Sequence, residues 1–410
     1  MAKKFKKLTD RYKSITITDY LVSKLKPKTN HLRYLSSLFL TFFIIIYVSA
    51  QIDATGSAFE AFMDWNYFTG AVLGYFIVLA YVVFGGFIAV AWSDLIQGSL
   101  MFLALVILPV IGYYSFNGEF QILEGLNKID RGLISPWGSG GFNLINLSTI
   151  VGYICIGLAF LGSPQIFVRF MSIKNEQEIN KGRWVAVLFT FITDSCAVLI
   201  GMMARYFFTE NGVEVESILG NNGQNSLIMM VENLLPLLFV GFYMAVVLAA
   251  IMSTVDSLLV LASSAFARDI YQNIYNPKVE INKLTFISKV TTFIMASLAL
   301  VVAITVANLT PERTIFWFVL VGFHGIAASF CPTIILSLFW KGLSETGAIA
   351  SMIVGFLGVL IFKFIIPNIE PYGIYFNNIA ELAPALLLGL FTGYVFSILY
   401  PNTDLKKELD

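Results

Sequence analysis

The segment Ala250-Ile251-Met252-Ser253-Thr254-Val255-Asp256-Ser257 sets hydroxyls and a carboxylate deep inside an apolar run. Ser253, Asp256 and Ser257 stand at i, i+3 and i+4, so they share one face of a helix, and the carbonyl of Ala250 lies one turn earlier on it. Such a set of hard oxygens suits a sodium ion. The competing account is that Ser253 and Thr254 bond back to helix carbonyls and that Asp256 pairs elsewhere. Trp92-Ser93-Asp94 puts a second carboxylate at the opening of an apolar span, where it is either a helix N-cap or, given a cation partner across the bundle, a site residue. Phe160-Leu161-Gly162-Ser163-Pro164-Gln165 interrupts another span. Glycine followed by proline frees backbone amides and carbonyls, which makes either a kink or a solute-lining break.

Enzyme chemistry has little to stand on. No nucleophile elbow, zinc-protease motif, P-loop or glycine fingerprint is present, and His31 and His324 are far apart in the chain. His324 lies in an apolar helix, where a packed, hydrogen-bonded role is expected before a proton relay. Cys155, Cys196 and Cys331 fall in apolar stretches without a CxxC pair, so they read as small apolar fillers rather than as metal ligands or redox groups. Asp194 sits mid-span as a further pathway candidate, and Lys289 and Lys363 lie near span ends, within snorkelling reach of water.

The elements that must position these groups are membrane helices. The chain is 57% hydrophobic and 13% charged with a mean hydropathy of +0.78, against roughly a quarter charged in soluble domains. Spans are expected near 33–52, 67–92, 95–116, 147–171, 184–207, 234–266, 284–307, 314–340, 346–367 and 382–400. Pro236 should divide a short helix from the long span that follows it. Gly70 and Gly74 form a GxxxG of the helix-packing kind. Ten crossings place both termini on one side. Lys3 to Arg33 hold ten of the 26 basic residues, and that excess marks the side as the cytoplasm. Later loops expected inside carry Arg169, Lys174, Lys181, Arg183, Arg268, Lys278, Lys283, Lys341, Lys406 and Lys407; those expected outside carry only Lys128, Arg131, Arg205 and Arg313. The outside loops are also acidic and glycine-rich, as in Thr209-Glu210-Asn211-Gly212-Val213-Glu214. The basic opening has no signal peptide, and a net charge of zero gives no reason to expect nucleic acid.

At these residues the chain resembles the sodium:solute symporter family, most nearly its proline and pantothenate carriers. The matching segments are Thr16-Ile17-Thr18-Asp19-Tyr20, Trp92-Ser93-Asp94-Leu95-Ile96-Gln97, Leu161-Gly162-Ser163-Pro164-Gln165 with Arg169-Phe170-Met171, and Ala249 through Ser257 continuing to Arg268-Asp269-Ile270-Tyr271. The resemblance implies an all-α membrane protein with a leucine-transporter-type inverted-repeat helix bundle, in which two five-helix repeats rock around a central site. Family members usually have thirteen helices and this chain matches from the loop after the third, so the first repeat is expected to be incomplete, without its first core helix. The implied division is a cytoplasmic basic segment at 1–32, the remaining helices of the first repeat at 33–116, the second repeat at 147–340, two additional helices at 346–400 and a cytoplasmic tail at 401–410.

By position, the resemblance makes Ala250, Ser253 and Thr254 half of a shared sodium site. Asp94, Ser253, Asp256 and Ser257 become a second cation site, where Asp256 replaces a serine of some relatives and either sodium or a proton could sit. Phe160, Gly162, Ser163, Pro164 and Gln165 become the solute-facing break. Phe160 and Ile156 stand where proline carriers have tyrosine and tryptophan, which widens the expected solute to an amino acid, a carboxylate or another small polar metabolite. The expectation is thus sodium-coupled secondary active transport in the prokaryotic plasma membrane, with sodium as coupling ion and no other cofactor. The alternative is a non-transporting membrane protein, a truncated relic or a solute sensor.

Overall fold

The computed structural model describes residues 1–115, 121–209 and 214–402, without the side chains of Phe84, Phe87 and Ala89. Lys406 and Lys407 of the expected tail, and Glu210 to Val213 of an expected outside loop, lie outside the described residues. Among the described residues nine helices are long and apolar enough to cross a membrane, and Tyr67–Val83 is a shorter apolar tenth. In chain order they are α3 (His31–Met63), α4 (Tyr67–Val83), α5 (Val90–Ser115), the broken pair α6 (Leu144–Ile156) and α7 (Pro164–Ser172), α8 (Glu176–Phe208), α9 (Leu237–Ser264), α10 (Ile281–Leu309), α11 (Ile315–Phe339), α12 (Glu345–Phe364) and α13 (Leu382–Leu399). Two amphipathic helices, α1 (Ala2–Tyr12) and α2 (Ile17–Leu25), precede them.

α3 and α11 form the interior. α3 packs against α4, α9, α10 and α11, and most of the α11 side chains are buried, as in a helix enclosed on all sides. α8 is the opposite case, apolar and exposed along most of its length, as a helix facing lipid would be. Close approach of α4 to α3 depends on the expected glycine pair: a Cβ on Gly70 would stand 2.6 Å from the Cβ of Phe59, and one on Gly74 would strike Thr55. A short helix, Ser226–Leu234, precedes Pro236, which serves as the N-cap of α9.

One feature differs from expectation, and a second adds to it. The break between α4 and α5 is at Gly86, with φ 66° and ψ 178°, a backbone that glycine adopts without steric cost. Asp94 therefore lies inside α5, beyond its first turn, and is not an N-cap; the neighbouring Ser93 hydroxyl donates to the Val90 carbonyl at 2.9 Å. The basic N-terminal segment is also structured. Phe5 is fully buried, edge-on to Tyr20 at 5.0 Å and to Phe167 at 4.7 Å between ring centres. The Lys6 ammonium donates to the Met171 carbonyl at 3.1 Å, satisfying a backbone acceptor in the last turn of α7.

α9 continues without interruption into a π-helical segment, Ala265–Tyr275. Its wider turn presents Arg268, Asp269 and Asn273 to α2 and α3. Asp19 accepts from Arg33 Nη1 at 2.9 Å, Arg268 Nε at 3.2 Å and Asn273 Nδ2 at 3.1 Å. Asp269 accepts from Thr16 Oγ1 at 2.7 Å and from the same Arg33 nitrogen at 3.4 Å. Two segments singled out in the sequence, Thr16 to Tyr20 and Arg268 to Tyr271, thus meet in one ionic network.

Candidate functional site

The break between α6 and α7 is built by local chemistry. α6 tightens into a 3-10 turn over Gly157–Leu161, the chain leaves helical geometry at Gly162, and Pro164 starts α7 at a position where its missing N–H is not needed. A Cβ on Gly162 would stand 2.8 Å from the Cα of Cys331 in α11, so only glycine allows this approach. The Ala159 carbonyl, released from helical bonding, accepts from Ser163 Oγ at 2.5 Å and Cys331 Sγ at 3.4 Å. Gly162, Ser163 and Pro164 are buried, Phe160 is exposed and Gln165 is half-buried. Of the five residues expected to face a solute, Phe160 has an exposed side chain, and Gln165 keeps its amide oxygen buried without a hydrogen-bond partner among the described residues.

A cavity of about 1240 Å³ lies between α3, α6, α10, α11 and α12. Trp317, Tyr153, Arg313, Lys363 and Glu381 line it, and it reaches Ile156 at the end of α6. Arg313 is held at its rim by Asp53, whose two oxygens both lie 3.0 Å from Arg313 Nε, and Tyr67 donates to the same carboxylate at 2.5 Å. His324 Nδ1 pairs with Glu381 Oε1 at 2.8 Å in full burial, a packed and hydrogen-bonded histidine. Asp194 is exposed on α8.

The oxygens of α9 face α5 and α7. Ser253 Oγ donates to the Ala250 carbonyl at 2.8 Å and Thr254 Oγ1 to the same carbonyl at 3.3 Å, which is the back-bonding that the competing account expected and which draws the three oxygens together. Asp256 is fully buried, and among the described residues neither of its carboxylate oxygens has a hydrogen-bond partner. Asp94 Oδ1 is unpartnered in the same sense. The other oxygen of Asp94 does have a cation partner across the bundle: Arg169 Nη2, on α7, donates to it at 2.7 Å and to Ser257 Oγ at 2.8 Å, and Ser257 Oγ stands 3.5 Å from Asp94. Ser253, Asp256, Ser257 and Asp94 are thereby brought together with a residue that sequence reasoning left in a cytoplasmic loop. The available signal was the i, i+4 spacing of Gln165 and Arg169 beyond a proline. When both carboxyls are ionised, they and one guanidinium leave one negative charge, on oxygens without hydrogen bonds among the described residues. An all-oxygen set with that deficit fits a small monovalent cation.

These features describe a polytopic membrane protein with a broken helix beside a cluster of carboxylate and hydroxyl oxygens. The chain belongs to the sodium:solute symporter family, which it matches over residues 1–355. The High-affinity proline transporter PutP of Bacillus subtilis (strain 168) is 30% identical over 351 residues, covering 85% of this chain and 70% of the relative. Sodium/proline symporter 2 of Staphylococcus saprophyticus is 31% identical over 409 residues, covering 97% and 75%. The fold is similar, with a TM-score of 0.70 at 18% identity over 97% of this chain and 80% of the other, to that of a Na+-coupled sialic acid symporter in its substrate-bound outward-open state. The bundle is therefore of the leucine-transporter type.

Proposed function

We propose that this chain couples sodium to the movement of a small polar organic solute, an amino acid or a carboxylate, by alternating access. The observation that carries this reading is the bridge from the oxygens of α5 and α9 to α7, the helix that follows the break. Ala250, Ser253 and Thr254 contribute to one sodium site. Asp94, Ser253, Asp256 and Ser257 form a second, where the two aspartates supply the charge. Phe160 and Gln165 meet the solute with their side chains, and Gly162, Ser163 and Pro164 set the buried backbone break between them. Sodium that binds one state of the bundle better than the other shifts the population, and a solute with the same preference is carried by the same shift. Proline is the first solute to try, since the relatives named above transport it. Both termini lie on the cytoplasmic side of a prokaryotic plasma membrane, where the basic residues collect.

The test compares melting of the purified protein in sodium and in potassium with that of Ser253→Ala and Asp94→Asn, followed by solute uptake into proteoliposomes. A ligand held only by the native state adds about 2.7 kcal/mol at a hundredfold excess over its dissociation constant. A sodium-specific gain that both variants lose supports the reading. Equal melting in the two salts by folded protein would sink it.

A further inference from the structure

Resting on that reading, we propose that Arg169 is a tethered stand-in for the coupling cation, holding Asp94 and Ser257 when sodium is absent and yielding them when it arrives. One terminal nitrogen, Nη2, makes both contacts, at 2.7 and 2.8 Å, to oxygens that belong to two different helices. It stands where a small cation shared by that carboxylate and that hydroxyl would stand. The pair is also displaceable. The Arg169 side chain is 55% exposed and that of Asp94 18%, and a partly solvated ion pair is a weak one. Asp256, by contrast, is sealed in with both oxygens unpartnered, so its carboxylate, once ionised, adds to the pull on a cation entering the place that Arg169 holds. Once there it shares the field of Asp94, repels the guanidinium and weakens its hold.

The position of Arg169 gives this exchange a consequence. Arg169 lies on α7, five residues after Pro164 at the solute-facing break, whereas Asp94 and Ser257 lie on α5 and α9. While Arg169 holds, α7 is tied to both helices; when sodium takes its place, α7 is released from them. Cation occupancy and the freedom of the solute-facing helix then become one equilibrium. Linkage requires the reverse effect as well: whatever fixes α7 away from α5 tightens sodium binding.

The experiment measures equilibrium binding of radioactive sodium, and melting in sodium against potassium, for the unaltered protein, Arg169→Gln and Arg169→Lys. Removing a tethered competitor should tighten sodium binding about fivefold in Arg169→Gln, the factor that a partly solvated ion pair commands. Arg169→Lys, which keeps the charge, should stay near the unaltered protein. Unchanged or weaker binding in a folded Arg169→Gln would overturn the proposal, since it would make Arg169 a support of the site. A second measurement needs no variant: amide exchange of the unaltered protein should quicken over residues 164–172 and slow over 250–257 when potassium is replaced by sodium. Slowing in both segments would overturn it equally. An unaltered protein that binds no sodium removes the symport reading itself, and this proposal with it.

Discussion

Asp256 is the residue with most at stake. A buried carboxylate without hydrogen bonds costs several kcal/mol unless a proton or a cation neutralises it. Asp256→Asn is expected to melt higher than the unaltered protein in sodium-free buffer and to lose most of the gain from added sodium; an undiminished gain would remove Asp256 from the ligand set. Lys24, on α2, is a titrating group of the opposite kind. Burial, and then the neighbouring charge of Lys4, bring its pKa down to about 8 from the ordinary 10.5. The folded state thus sheds this proton at lower pH than the unfolded state does. The cost of burying the charge is fully present below pH 8 and is relieved as pH rises from about 8 to about 10.5. Lys24→Met should abolish that upward trend in melting temperature, which a scan from neutral pH to pH 10 would detect. The oxygens of α9 were legible because i, i+3 and i+4 spacing is a property of one helix. Arg169 was not, because its partner lies 75 residues away on another, and periodicity carries no information across that distance.

Among the elements, the break at α6 and α7 was legible for a chemical reason: a glycine two residues before a proline changes the backbone wherever it falls. The same logic fails for α4 and α5. Gly86 lies in a uniformly apolar run, and nothing local announces its positive φ, so the break was expected at Trp92-Ser93-Asp94, where polar residues drew attention. Nor did the basic opening of the chain suggest α1 and α2, whose burial depends on Phe167 and on the π-helical segment far downstream. The closeness of Gly162 to α11 makes its own prediction. Gly162→Ala should lower stability by about 1–3 kcal/mol through overpacking, whereas at Gly157 an added Cβ meets nothing within 4 Å and Gly157→Ala should be close to neutral. Detergent melting of the two variants compares them directly, and equal losses would mean that the approach to Cys331 is not what requires glycine.

For the whole molecule, the class was the most legible feature, since apolar stretches of spanning length leave few other folds open. Orientation is a separate matter. The basic residues of α1 and α2 and of the loops on their side predict that side to be cytoplasmic. With Cys155 and Cys196 replaced by serine, Lys13→Cys should resist a membrane-impermeant maleimide in intact cells and Trp137→Cys should react; the reverse pattern would invert the topology. One contact described above also has a consequence in time. Lys6 and Met171, which hold α1 to the end of α7, are 165 residues apart. At a synthesis rate of about 5–20 residues per second, α1 waits on the order of 10–30 seconds for its partner to be made. Throughout that interval Phe5 has Tyr20 beside it but not Phe167, and a lysine-rich amphipathic helix with its apolar face part-covered rests at the lipid headgroups. Nascent α1 therefore stays at the bilayer surface until the broken helix arrives to take it up.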